Sequence, residues 1–184
     1  PVKCEKGKVY PMVIFLHGIG DCAEDWITKA KTIECYSTLL KRKEIEPMIL
    51  VFAESGYDKR SWYVNWKKEK SKKYEDYFIK ELIPEVEKRY SCGGKQSLRG
   101  ICGFSMGGYG AINLTMRNSE IFKCGGSFAG CVNLYRLSFL NKNGGLFNML
   151  YIPEFVGGKD KRKIAFAKAF GSMPHYGKKI IHLT

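Results

Sequence analysis

At 184 residues, 45% of them hydrophobic, the chain has the length of one domain and the apolar content for a core, and no apolar run approaches the roughly eighteen residues of a membrane-spanning helix. No signal-peptide pattern opens it, although it begins at Pro1 rather than at a methionine, which leaves a removed leader open. The formal charge of +13 suggests nucleic acid, but the densest basic runs, Lys67 to Lys73 and Lys159 to Lys163, are interrupted by acids and carry no reading motif, so solvated faces that steer anionic substrates are expected instead.

Pro11 to Leu16 is a short apolar run of strand length that ends in His17-Gly18-Ile19-Gly20. Continuous rather than alternating hydrophobicity predicts a strand covered on both faces, as in a parallel sheet. The glycine-rich turn after it can bring backbone amides near a ligand. A helix is predicted over Glu34 to Lys43, with Pro47 marking its end. Met48 to Ala53 is a second buried-strand candidate, followed by a loop dense in aromatic residues: Tyr57, Trp62, Tyr63 and Trp66. From Tyr74 to Tyr90 the apolar residues fall at helical spacing, and Pro84 should kink or restart that helix.

Ser91 to Gly94 reads as a turn, Leu98 to Phe104 as a strand, Ala111 to Arg117 as a helix and Phe122 to Ala129 as a further strand. Ile164 to Phe170, closed by Gly171, is one more predicted helix. This alternation predicts an α/β fold, a mostly parallel sheet with helices on both faces. The seven cysteines include no C-x-x-C pair, which argues against a zinc site or a thioredoxin-like motif. Cys102 and Cys124 are expected to act as small hydrophobes, and a reducing cytoplasm is the expected compartment.

The chain's most specific pattern is G-x-S-x-G, present as Gly103-Phe104-Ser105-Met106-Gly107 between a predicted strand and a predicted helix. By itself such a run also makes an ordinary strand-to-helix turn. The strand before it and the three glycines Gly107, Gly108 and Gly110 in a helical stretch favour a sharp turn that lifts Ser105 to the helix N-terminus. There the Met106 amide and the helix dipole can stabilise an oxyanion.

With the His17-Gly18 loop, the Asp25-Trp26 pair, Ser61-Trp62-Tyr63 and Glu81-Leu82-Ile83-Pro84, the chain resembles the α/β-hydrolase fold. Within it, the chain is similar to the esterase family that holds S-formylglutathione hydrolase (esterase D), feruloyl and acetylxylan esterases, polyhydroxybutyrate depolymerases and mycolyltransferases. The resemblance covers roughly residues 10 to 135. It implies Ser105 as nucleophile, the Ile19 and Met106 amides as oxyanion donors, and Trp62 and Tyr63 as residues bordering the substrate pocket, although by themselves these two also read as core or lid aromatics. The substrate it implies is a small-molecule or carbohydrate-linked ester, hydrolysed without cofactor or metal. His17, before the serine and beside the oxyanion loop, reads as structural rather than as the base.

In this family the acid and then the histidine of the triad follow the serine. Past Gly130 no strand followed by a credible acid is visible. His175 and His182 lie in weakly patterned sequence, Asp160 stands between lysines, and Glu120 and Glu154 look like surface positions. The expectation is a single hydrolase domain truncated at its C-terminus and nearly inactive, since each further strand with its crossover needs about thirty residues. Two alternatives are a serine peptidase of the prolyl-oligopeptidase type and a non-catalytic hydrolase-like binding module.

Overall fold

The first apolar run forms strand β1 (Met12–Leu16), and its pleat divides it between two faces. Met12, Ile14 and Leu16 are fully buried; Val13 and Phe15 are half-buried. In a computed structural model of the protein, residue 5 and residues 7–56, 60–66 and 70–130 are described. There β1 pairs in parallel with β2 (Ile49–Ala53) and β3 (Arg99–Phe104), and β3 pairs in parallel with β4 (Cys124–Phe128). The spatial order is β2-β1-β3-β4, the parallel sheet that the alternation of elements predicts. The predicted helix at Ile164 to Phe170 lies outside the described residues.

Parallel pairing requires a crossover between successive strands, and helices supply each one. Helices α1 (Asp25–Thr28) and α2 (Thr32–Lys41) join β1 to β2. Between β2 and β3 run α3 (Tyr74–Asp76), a π-helical turn (Tyr77–Leu82) and α4 (Ile83–Arg89), and α5 (Met106–Arg117) joins β3 to β4. The disturbance expected at Pro84 takes the form of the π-turn. Proline has no N–H for the carbonyl four residues back, so the helix widens before it. The Ile83 N–H then bonds to the Phe78 carbonyl, five residues back, and Pro84 sits in the first turn of α4, where a missing donor costs little.

Register places Met12, Ile14, Leu16, Val51, Ala53 and Ile101 on one face. Met106, Ala111 and Leu114 of α5, with Phe78 and Ile83, join these residues in one core. Each of the larger side chains stabilises the fold by about 1.5–3 kcal/mol through the apolar area it removes from water. On the opposite face Trp26 of α1 meets Phe15 edge-on at 5.2 Å and Phe128 at 6.3 Å between ring centroids. Helices therefore contact both faces. Cys102 is half-buried on this second face, and burial pushes its thiol up to about 12, so it stays protonated and inert. Cys124 departs from expectation: at the start of β4, the outer strand among the described residues, it is exposed.

Among the described residues no helix is long and apolar enough to cross a membrane. The strand order matters most for function. After β1 the chain moves outward to β2, then returns to place β3 on the other side of β1. Open α/β sheets bind ligands outside the carboxyl ends of the strands at such a switch point, because the two following loops diverge and leave a crevice. Here the residues leaving those two strand ends are His17-Gly18-Ile19 and Ser105.

Candidate active site

Ser105 follows β3 directly and serves as the N-terminal cap residue of α5, with φ 52° and ψ −112°. A side chain at positive φ is crowded by its own backbone, which costs roughly 1–3 kcal/mol unless the surroundings enforce it. Here they do. The Ser105 N–H donates to the Phe128 carbonyl at 2.9 Å, and its carbonyl accepts the Tyr109 N–H at 3.1 Å. A Cβ on Gly103 would stand 2.9 Å from the Gly107 Cα, and one on Gly107 would strike the carbonyl of Leu16 and stand 2.8 Å from that of His17. Only glycine lets β3, α5 and the end of β1 approach so closely. Ser105 itself is half-buried, and the Met106 amide is the first in α5, a donor with no carbonyl four residues earlier in the helix.

The loop after β1 is held by side chains from several elements. The Ser55 N–H donates to His17 Nε2 at 3.2 Å, so the tautomer that fits carries its proton on Nδ1 and donates to the Gly18 carbonyl at 2.8 Å. Both ring nitrogens are thus spent on the backbone, in keeping with a structural role for this buried histidine. Glu54 Oε1 accepts the Ala23 N–H at 2.7 Å, and Glu54 Oε2 stands 3.5 Å from His17 Nε2. Further along, Lys29 Nζ lies 2.9 Å from Asp25 Oδ2 and 3.6 Å from Asp21 Oδ1. The Lys29 hydrogen bond outweighs partial burial and holds the Asp25 carboxyl below its ordinary range. Ile19 is half-buried and packs against the core at the same edge of the sheet as Ser105.

A cavity of about 420 Å³ opens beside this edge, lined by Trp26, Phe104 and Phe128 with His17, Gly18, Asp21, Asp25, Lys29 and Ala30. Sequence reading singled out none of the three aromatic residues as pocket walls. The available signal was Phe104, an aromatic residue immediately before Ser105 that remains 48% exposed. Trp62 and Tyr63, open between core and pocket on the sequence, are 1% and 0% exposed and lie in the core. Trp62 packs edge-on against Tyr109, and Tyr63 against Phe78; neither lines the cavity. The reason is packing: both rings insert beneath α5, where apolar area is fully removed from water.

Glu120 is an exposed residue just past the C-terminal end of α5, the end opposite to Ser105. His175, His182, Glu154 and Asp160 lie outside the described residues, and among the described ones no group of three His, Cys, Asp or Glu is arranged to hold a metal.

Comparison with known proteins bears on the family and the fold. The family model described as "Putative esterase" matches residues 1–172. An endo-1,4-beta-xylanase/feruloyl esterase of Xylanibacter ruminicola is 29% identical over 130 residues, which is 70% of this chain and 18% of that protein. Esterase Rv1288 of Mycobacterium tuberculosis is 26% identical over 132 residues, 71% of this chain and 27% of that one. The chain therefore spans less than a third of the length of these curated relatives. Among solved structures, a CE1 ferulic acid esterase of Anaeromyces mucronatus superposes with TM-score 0.59 at 25% identity, over 71% of this chain and 50% of that one. An S-formylglutathione hydrolase of Staphylococcus aureus, at 20% identity, shares the fold with TM-score 0.61 over 97% of this chain and 64% of that one. With a strained serine at the switch point of a parallel sheet and a family model matching most of its length, the chain belongs to the esterase family of the α/β-hydrolase fold.

Proposed function

We propose that this protein is a serine carboxylic ester hydrolase in which Ser105 is the nucleophile. The observation that carries the reading is the left-handed backbone of Ser105 at the tip of a turn that only Gly103 and Gly107 can close. A strained residue held by its surroundings at a ligand-binding edge is what a nucleophile elbow requires. Ser105 Oγ attacks the ester carbonyl, and the negative charge that develops on its oxygen is met by the Met106 and Ile19 amides. Collapse expels the alcohol and leaves an acyl-serine, which water then hydrolyses. The Ser105 proton calls for a base other than His17, whose ring is committed to the Gly18 carbonyl and the Ser55 amide.

The substrate is a small-molecule or carbohydrate-linked ester whose acyl or alcohol part enters the cavity beside Trp26, Phe104 and Phe128. Relatives named as feruloyl esterases support an aromatic group there, since flat rings pack well against aromatic walls. The test is labelling of the protein by a fluorophosphonate probe, with turnover of 4-nitrophenyl acetate measured alongside. Ser105→Ala should abolish both while its thermal melt stays close to that of the parent. Labelling that persists in pure Ser105→Ala would refute the assignment.

A further inference from the structure

We propose that Tyr63 is a positioning residue of this reaction: acting through His17, its hydroxyl sets the direction of the Ile19 N–H. The inference rests on the reading of Ile19 as an oxyanion donor and adds the device that aims it. Ile19 N belongs to the same planar peptide as the Gly18 carbonyl, so wherever that carbonyl is pinned, the N–H must point the opposite way. Two donors pin it: His17 Nδ1 at 2.8 Å and the Asp21 N–H at 3.2 Å. The direction of the Ile19 amide is therefore set by the His17 ring. His17 is held in turn by its ring contact with the Ser55 N–H, and by its main-chain carbonyl, which accepts the Tyr63 hydroxyl at 2.9 Å.

Tyr63 is held so that its hydroxyl donates to that carbonyl. Its ring is fully buried, and burial pushes the phenol's pKa up, so the hydroxyl stays protonated and donates. The ring lies against α5, where a Cβ on Gly110 would stand 2.5 Å from Tyr63 Cδ2, and meets Phe78 edge-on at 5.5 Å. Trp62 and Tyr63 both adopt left-handed backbone conformations, φ 53° and 58°. Bulky residues rarely do so, and two in succession store strain of about 1–3 kcal/mol each. The turn is held by Ser61, whose Oγ accepts the Tyr63 N–H at 3.2 Å and whose carbonyl accepts Trp66 Nε1 at 3.1 Å. The strained turn delivers a hydroxyl to the last carbonyl before the oxyanion loop.

Tyr63→Phe deletes that hydroxyl and keeps the ring. With 4-nitrophenyl acetate, kcat should fall about tenfold, the worth of about one hydrogen bond, with KM unchanged within about twofold, because an oxyanion donor acts on the transition state. Hydrogen–deuterium exchange should quicken over residues 17–22 relative to residues 12–16, which serve as the internal reference for global loosening. The proposal is overturned if relative exchange over 17–22 is unchanged, if kcat stays within twofold, or if only KM rises, which would mean that Tyr63 touches substrate. Ser105→Ala run in parallel separates the two claims. Turnover surviving there defeats the nucleophile reading, whereas the exchange comparison judges the link from Tyr63 to the loop by itself.

Discussion

At residue scale the site is assembled from backbone groups more than from side chains. Ser105 adopts positive φ because the turn between β3 and α5 leaves no other path, and Gly107 lets α5 begin against the carbonyls of Leu16 and His17. Both proposed oxyanion donors are main-chain amides, so substitution at Ile19 tests the backbone directly. Ile19→Pro removes the N–H, and turnover should fall roughly a hundred- to a thousandfold, the cost of one oxyanion-hole donor. Ile19→Ala keeps the N–H and should retain most activity, losing only part of a core contact. Equal losses in the two variants, measured as kcat on one ester, would remove Ile19 from the oxyanion hole.

Among the elements, the junction between α4 and β3 decides how firmly the strand that presents Ser105 is anchored. Arg99, the first residue of β3, reaches Glu87 of α4 through Nε to Oε1 at 2.6 Å and Nη2 to Oε2 at 3.0 Å. Glu87 Oε1 also accepts the Gly94 N–H at 2.7 Å. Partial burial pushes the Glu87 carboxyl up, but the Arg99 hydrogen bond and charge outweigh it, and the net shift is below the ordinary 4.5. A depressed folded-state pKa adds stability above the unfolded value, and that stability is lost as pH falls through the folded one. Glu87→Gln should therefore lower the melting temperature at pH 7, by an amount corresponding to about 1–2 kcal/mol for a charge-assisted pair that is only partly buried. The gap from the parent should narrow as pH drops below about 4.5. Melting curves at pH 7, 5 and 3 check this, and a gap that stays constant or widens in acid would contradict the linkage.

For the whole molecule, the charge of +13 and the fold answer different questions. A net positive field speaks to solubility and association rates, and the sheet with its switch point speaks to where chemistry happens. Among the described residues Lys8, Lys29, Lys80, Arg89, Arg99 and Arg117 are each matched to a carboxylate. The expected outcome is no sequence-selective nucleic-acid binding. Any weak binding to DNA should fall steeply between about 50 and 200 mM salt, since counterion release would be its only drive. Mobility-shift titrations against two unrelated duplexes measure this, and a preference for one that survives physiological salt would reverse the conclusion.

What the sequence determined by itself is what short-range rules encode. Among the described residues the four strands lie within one or two residues of the expected bounds, and β1 and β2 occupy continuous apolar runs. The Ser105 turn was legible because its geometry is set by two glycines and a serine within five residues. Helix α5 begins at Met106, directly after Ser105, and close packing on β1 tolerates the three glycines that intrinsic propensity disfavours. The tertiary structure alone decided the walls of the cavity, where Trp26, Phe104 and Phe128 come from three separate elements. It also chose the core for Trp62 and Tyr63, where the sequence left core and pocket open, and it joined the Tyr63 hydroxyl to a carbonyl 46 residues away. No periodicity or spacing encodes such a contact. It exists only because parallel crossovers bring distant loops to one edge of the sheet, where burial and hydrogen bonding, rather than local propensity, choose each side chain's partner.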